Sequence, residues 1–330
     1  MPGVLGTNTG VTGWRPRGPG ASWSWITLVL MPALLVLFAS LGRLLPEQWI
    51  AAVAITGLAW AGPRLRQLSL IVTCFAAVGI GYRFLGPLMA HRWGLHVGDL
   101  WRAEHSLFPV GNGAALSDWL AAHTHPIADF VAGLTYITYL AEISLVAAWL
   151  FFRGAAEKSL QMGLAFLLVN LVGWAAWLLF PAAPPWYVDL YGVDALVLQA
   201  PPSPAGTARF DALIGFPLFA GFYSQSTNVF GAMPSLHACY PVVAAVITWS
   251  PQDQFPQADS SRFLRWFTLA YAVVMALSAV YLRHHYILDV VMGICLGWLG
   301  AKLVQRVRRS TSRANTHFAP DLGSTVGVAQ

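Results

Sequence analysis

The sequence predicts an all-α polytopic membrane protein of about eight transmembrane helices. Three observations carry this. Hydrophobic residues make up 57% of the 330 and charged residues only 10%, with mean hydropathy +0.59; an ordinary soluble domain carries about 25% charged residues. The chain holds 15 Trp, 21 Pro and 30 Gly, which suits membrane spans and their interfaces. Charge-free runs recur at the length of about 20 residues that a span requires. This composition excludes a soluble globular enzyme, a disordered chain and a nucleic-acid binder. The formal net charge of +5 is therefore topological.

In chain order, the spans are expected at Trp25–Gly42, Trp49–Gly62, Leu68–Leu85, Ile127–Phe152, Leu160–Phe180, Pro234–Trp249, Leu264–Leu282 and His285–Val304. They are apolar all round, so length rather than amphipathic period defines them. Arg15 and Arg17 precede the first run as in a signal peptide, but that run is long and lacks a small-residue cleavage site, which favours a retained helix. Trp49–Gly62 is short. Glu142 interrupts the fourth run and is expensive to bury; it is expected to pair with Asn170 or a backbone group, or to contact an acceptor hydroxyl. Asp129 lies near a helix start and reads as a cap or dipole partner.

Eight helices put both termini on one side. That side collects thirteen of the nineteen Lys and Arg residues, among them Arg64, Arg153, Lys158, Lys302 and Arg308; six lie opposite. The positive-inside rule makes the termini cytoplasmic. The layout is then a cytoplasmic segment over 1–24, two peripheral helices over 25–66, a core over 67–305 and a polar cytoplasmic tail over 306–330. The long connections 89–126 and 181–233 face the exterior. Eight of the nine histidines fall on that face, which marks it as the working face. Cys74, Cys239 and Cys295 all sit in apolar runs and read as buried thiols. No internal repeat is present.

Two segments are unusual for spans. In Gly231-Ala232-Met233-Pro234-Ser235-Leu236-His237, a Pro opens a helix where its missing N–H costs nothing. Ser235 and His237 follow in the first turn, where free N–H groups favour an anion. In Arg283-His284-His285-Tyr286-Ile287-Leu288-Asp289, His285 and Asp289 are four apart and share one helix face. Asp289 there can orient the imidazole and stabilise its protonated form. Helix order brings both segments to the same surface, and the set suggests phosphoryl transfer with a nucleophilic histidine. His284 either faces the ligand or points away. A two-His zinc site lacks a third and fourth ligand at standard spacing.

These motifs resemble those of the phosphatidic acid phosphatase type 2 superfamily of membrane phosphotransferases, and within it the inositol phosphorylceramide synthase (aureobasidin-resistance) branch. The resemblance covers the C-terminal half. Pro234-Ser235-Leu236-His237 is similar to the second motif, His285 with Asp289 to the end of the third, and Pro181-Ala182-Ala183-Pro184-Pro185-Trp186-Tyr187 to the branch's first. The resemblance implies a six-helix phosphotransferase core. It implies that His285 attacks phosphorus, Asp289 raises its basicity, and His237 protonates the departing alcohol and then activates the incoming one. It implies no cofactor and no metal. Its substrates would be lipids: a phosphatidylinositol-like donor and a ceramide-like acceptor.

The departures are informative. No Lys or Arg occurs over Asn170–Tyr187, and Ala279 stands where the third motif has Arg. Arg283 is the nearest replacement cation, with Arg209 and Arg102 behind it; Arg283 also reads as an interfacial anchor. Ser235 is the other expected phosphate contact. Fewer cations suit a singly charged phosphodiester better than a phosphomonoester, which favours head-group transfer over dephosphorylation. Asp99, Glu104 and His105 in the first exterior loop are candidates for a polyol head group, with Trp186, Tyr187 and Glu142 as further head-group or acceptor residues. Two other readings stay open: a lipid phosphate or diphosphate phosphatase with water as acceptor, and a transporter using the His/Asp set as a proton relay.

Overall fold

The structure, a computed structural model, describes residues 46–224, 226, 228–251 and 258–317. The expected span Trp25–Gly42 and the segment before it lie outside them. Each of the other seven expected runs is helical, so the chain is an all-α polytopic membrane protein. The long helices are α1 (Pro46–Trp60), α2 (Pro63–Met89), α5 (Pro126–Ile137), α6 (Tyr139–Phe152), α7 (Ala156–Leu179), α11 (Leu236–Trp249), α12 (Ala258–Tyr281) and α13 (Ile287–His317). Between them stand the short helices α3 (Gly98–Leu107), α4 (Leu116–Ala122), α8 (Pro185–Tyr191), α9 (Ala208–Ile214) and α10 (Leu218–Tyr223), with a small hairpin of β1 (Pro109–Gly111) and β2 (Ala114–Ala115).

Among the described residues, α2, α7, α12 and α13 are each long and apolar enough to cross a membrane, and α5 and α6 meet the same measure only when taken together as one bent pair. Outward side chains such as Leu145, Val172, Val273, Leu277 and Leu303 are exposed and apolar, as a lipid-facing surface requires. Helix α11 is apolar but only 14 residues long. Helix α13 outruns the expected end at Val304 and continues through the start of the polar tail to His317.

The expected single span Ile127–Phe152 is instead two helices bent by 57° at Thr138. No Pro or Gly causes the break. The Thr138 hydroxyl donates to the Leu134 carbonyl at 2.7 Å and meets the Tyr271 hydroxyl at 2.9 Å. Tyr271 in turn donates to the Thr135 carbonyl at 2.7 Å. Side chains thus take up carbonyls around the bend. Tyr136 and Tyr139, on either side of it, both face the central cavity.

Helix α7 is the axis of the bundle and packs on α2, α6, α11 and α13. Phe166, Val169, Trp174, Leu236, Val243 and Ile247 form the core around it. Helix α13 lies unusually close to α11. A Cβ on Gly293 would stand 2.2 Å from the Ser235 carbonyl oxygen, and one on Gly297 2.5 Å from that of Cys239. Glycine allows this approach, and it sets the start of α13 against the start of α11.

At one end of the bundle, Lys158 Nζ donates to the Ile247 and Ser250 carbonyls at the close of α11, and Arg308 pairs with Glu157 at 2.7 Å. At the other end, the two long connections fold together. His96, Ala182 and Gly231 form a short parallel ladder, carried by bonds from Ala183 N–H to the His96 carbonyl (2.9 Å) and from Ala182 N–H to the Phe230 carbonyl (3.0 Å). Cys74 and Cys239 are buried as expected; Cys295 is exposed on α13.

Candidate active site

The ladder brings the Pro181–Tyr187 segment beside Gly231–His237, and α13 starts against both. Ser235 caps α11: its hydroxyl accepts from Ala238 N–H at 3.3 Å, and its own N–H donates to the Asp289 carbonyl at 3.0 Å. Asp289 is the third residue of α13, and its Oδ2 reaches back to the Tyr286 N–H at 2.8 Å, half of a capping box. The Glu104 carboxylate, fully buried, accepts from Ile287 N–H at 3.1 Å to each oxygen. A carboxylate at a helix N-terminus is favoured by the dipole. Burial nevertheless pushes Glu104 above the usual carboxylate range. Glu104 therefore secures the helix start that presents His285, and it is not among the residues lining the cavity described below.

His285 is buried in this frame. Its backbone N–H donates to the Ala279 carbonyl at 3.1 Å, and its ring Nδ1 lies 2.9 Å from the Ala232 carbonyl oxygen. A carbonyl only accepts, so Nδ1 carries the ring proton and Nε2 keeps its lone pair. Asp289 Oδ2 stands 3.6 Å from Nδ1, beyond hydrogen-bond length. His285 Nε2 points to His237 Nδ1, 3.4 Å away, which the Tyr136 hydroxyl also approaches at 3.2 Å.

His284 faces the same space. Its Nε2 lies 3.1 Å from the Pro204 carbonyl oxygen, and its ring stacks between Tyr136 and Tyr223, with centroids 5.1 and 4.7 Å away. Burial drives it down to about 3, so it is uncharged. The three histidines open onto a cavity of about 760 Å³, the size of a ligand site. Its polar wall adds Tyr136, Tyr223 and Asn228; an apolar arm runs along Phe75, Val78, Gly79, Leu140 and Phe166 between α2, α6 and α7. Among the described residues, none that lines it is Lys, Arg, Asp or Glu.

The expected cations are engaged elsewhere. Arg283 is buried, with φ of 64°. Its guanidinium donates to Asp118 at 2.8 Å and closes on both oxygens of Asp189. Burial pulls this group down, but the two carboxylates outweigh it and hold it above its ordinary value. Arg283 is thus a clamp and does not line the cavity. Arg209 pairs with Asp129 at 2.6 Å, and Tyr281 donates to the same oxygen at 2.8 Å; Asp129 lies in the first turn of α5, as expected of a dipole partner, while His125 is the cap. Arg102 reaches Asp99 and Asp194 on the surface.

The remaining expected residues divide. Trp186 lines the cavity, and its backbone N–H donates to the Arg283 carbonyl at 3.1 Å. Tyr187 does not: its hydroxyl donates to the Ala195 carbonyl and accepts from Val197 N–H, pinning the loop after α8. His105 bridges the Trp101 carbonyl and Asp118. Asp99 is half exposed, and its hydrogen bond to His96, with help from Arg102, holds it below the usual range. Glu142 is buried on α6, and neither oxygen has a hydrogen-bond partner among the described residues. The expected pair with Asn170 is absent because Asn170 bonds the Tyr240 hydroxyl (2.6 Å) and the Phe166 carbonyl (2.7 Å). Sequence reasoning missed Tyr136, Tyr139, Tyr223 and Asn228. The i, i+3 spacing of Tyr136 and Tyr139, with polar tips in an apolar run, was the available signal.

Several characterised proteins are similar to this chain in sequence. A phosphoinositol dihydroceramide synthase of Bacteroides thetaiotaomicron is 34% identical over 292 residues, spanning 85% of this chain and 92% of that protein. The inositol phosphorylceramide synthase catalytic subunit of Schizosaccharomyces pombe is 28% identical over 295 residues, covering 87% of this chain and 66% of the relative. That of Saccharomyces cerevisiae is 35% identical over 189 residues, 57% of this chain and 45% of the relative. No solved structure matches. The PAP2 superfamily matches residues 98–303, a stretch that begins with the helix securing His285 and ends within α13, and the chain belongs to that superfamily.

Proposed function

We propose that this protein moves a phosphoinositol-type head group from a phospholipid to a lipid alcohol such as ceramide, through a phosphohistidine on His285. The observation that carries the reading is the contact of His285 Nδ1 with the Ala232 carbonyl, which turns the Nε2 lone pair toward His237 in a cavity that no Lys, Arg, Asp or Glu lines among the described residues. The relatives' names supply the substrate class.

The proposed steps use the groups described above. His285 Nε2 attacks phosphorus, and the bond to the glycerol oxygen breaks as His237 gives that oxygen a proton. The phosphorylated ring is cationic with Nδ1–H retained, a state that the Ala232 carbonyl and the Asp289 carboxylate both favour. His237 then takes the proton of the acceptor hydroxyl, whose oxygen attacks phosphorus and releases His285. The apolar arm along α2 and α6 suits a hydrocarbon chain. The lack of lining cations suits a singly charged diester over a doubly charged monoester. We place the site on the exterior face and the termini in the cytoplasm.

The test uses purified full chain in detergent with phosphatidylinositol, with and without ceramide, and mass spectrometry of the products. An inositol phosphoryl lipid that requires ceramide and is absent in His285→Ala is expected. Release of inositol phosphate regardless of ceramide would make water the acceptor and the protein a hydrolase.

A further inference from the structure

The cavity presents a phosphate-binding problem, since among the described residues no Lys or Arg lines it. What it does bring is an orphan donor. Asn228 lines the cavity, and its Nδ2 is shielded from water with no hydrogen-bond partner among the described residues. The amide is not free to turn. Its Oδ1 accepts from Phe230 N–H at 3.2 Å, which fixes Nδ2 on the other side. Gly231 makes the room: a Cβ there would stand 2.7 Å from Nδ2 and 3.3 Å from the Trp177 ring. The next residue is Ala232, whose carbonyl holds His285. So an unsatisfied N–H is held beside the strand that orients the nucleophile. Buried donors are satisfied almost without exception, and leaving one unmade is costly. A ligand oxygen is the natural partner.

We propose that Asn228 Nδ2 donates to a non-bridging phosphate oxygen of the donor lipid and supplies, without charge, part of what the missing motif cations would supply. This rests on the phosphotransfer reading above and adds a substrate-binding residue to it. A neutral donor stabilises oxyanion charge while matching a monoanion, so the residue also sets the preference for diesters over monoesters.

The experiment measures orthovanadate, a phosphate-like probe that needs no lipid, by its stabilisation of the purified full chain against thermal unfolding in detergent. Wild type is compared with Asn228→Ala, Asn228→Asp, Trp174→Phe and His285→Ala. Trp174 Nε1 is another unpartnered buried N–H on the cavity wall. The apparent vanadate constant is expected to rise about tenfold or more in Asn228→Ala, as loss of one hydrogen bond to a charged group implies, and further in Asn228→Asp. Asn228→Asp keeps an acceptor for Phe230 N–H, so it guards against loss of folding in Asn228→Ala. Its deficit relative to wild type should shrink from pH 7 to pH 5 as the new carboxyl gains a proton to donate, which a structural role does not produce. Vanadate constants within twofold of wild type in both Asn228 variants overturn the proposal, as does a larger loss in Trp174→Phe. Normal vanadate binding and turnover in His285→Ala, with the Asn228 effect intact, overturns the phosphohistidine reading and leaves the oxyanion contact standing. No vanadate stabilisation of wild type overturns both.

Discussion

Asp289 Oδ2 lies 2.8 Å from the Tyr286 N–H and 3.6 Å from His285 Nδ1. The carboxylate therefore serves the helix end by contact and the histidine by field. The proton on Nδ1 is held by the Ala232 carbonyl instead. Asp289→Asn keeps an acceptor for Tyr286 and removes only the charge. Turnover should fall on the order of a hundredfold, less than the ~10⁴-fold seen where a triad carboxylate hydrogen-bonds its histidine directly, with the melting temperature little changed. His285→Ala should abolish turnover. Product mass spectrometry on both variants checks this, and wild-type rates in both would remove the phosphohistidine.

His237 Nδ1 stands 3.4 Å from His285 Nε2, and the proposed mechanism makes it the acid for the departing oxygen. His237→Ala should lose turnover of a lipid donor about 10²–10⁴-fold, the usual scale of general acid catalysis. A p-nitrophenyl phosphodiester, whose leaving group needs no proton, should lose much less. Equal losses on the two substrates would take the acid role away from His237.

Arg283 is held between Asp118 and Asp189. Arg283→Gln should leave the vanadate inhibition constant unchanged and lower stability. Breaking a fully buried pair costs about 3–5 kcal/mol; Asp189 is 45% exposed, so a loss nearer 2 kcal/mol is expected. Denaturation in parallel with inhibition separates the two roles. A tenfold weaker vanadate constant would return Arg283 to the phosphate.

His284 carries a pH signature. Its folded value is lowered to about 3 from 6.5 by burial. A histidine kept neutral by the fold contributes stability that is present above its unfolded value and lost as pH falls from 6.5 toward 3. His284→Gln removes that titration. Its melting temperature should fall less steeply than wild type between pH 6.5 and 4, measured in one detergent at fixed ionic strength. Parallel acid limbs would mean that the ring is solvated.

Two glycines predict opposite outcomes of one substitution. A Cβ on Gly79 would meet nothing within 4 Å, and that residue lines the apolar arm. Gly79→Leu should fold normally and raise KM for long-chain acceptors relative to short-chain ones. On Gly293 a Cβ would stand 2.2 Å from the Ser235 carbonyl oxygen. Gly293→Leu should destabilise by about 3 kcal/mol or more, at the upper end of overpacking costs. Expression yield and an acceptor chain-length series distinguish them.

The helices were legible because each is a long run of apolar residues, a signal that survives without knowledge of neighbours. The break at Thr138 was not, since no Pro or Gly marks it and its partner Tyr271 comes from a distant helix. His237, His285 and Asp289 were legible from order and spacing on one face. The direction of Arg283 was not, because Asp118 and Asp189 lie 165 and 94 residues away in sequence. Tyr136, Tyr223 and Asn228 looked like ordinary core and loop residues. Only the folding of two long connections onto one end of the bundle makes them neighbours of the histidines.

The ladder through His96, Ala182 and Gly231 has an evolutionary consequence. The acceptor that decides which nitrogen of His285 is free belongs to the main chain at Ala232. Replacing the Ala232 side chain leaves that oxygen where it is, so an alanine or cysteine scan passes over the group that orients His285. Drift in the loops can alter substrate choice one side chain at a time without disturbing the tautomer, provided the hydrogen-bonded backbone keeps its register.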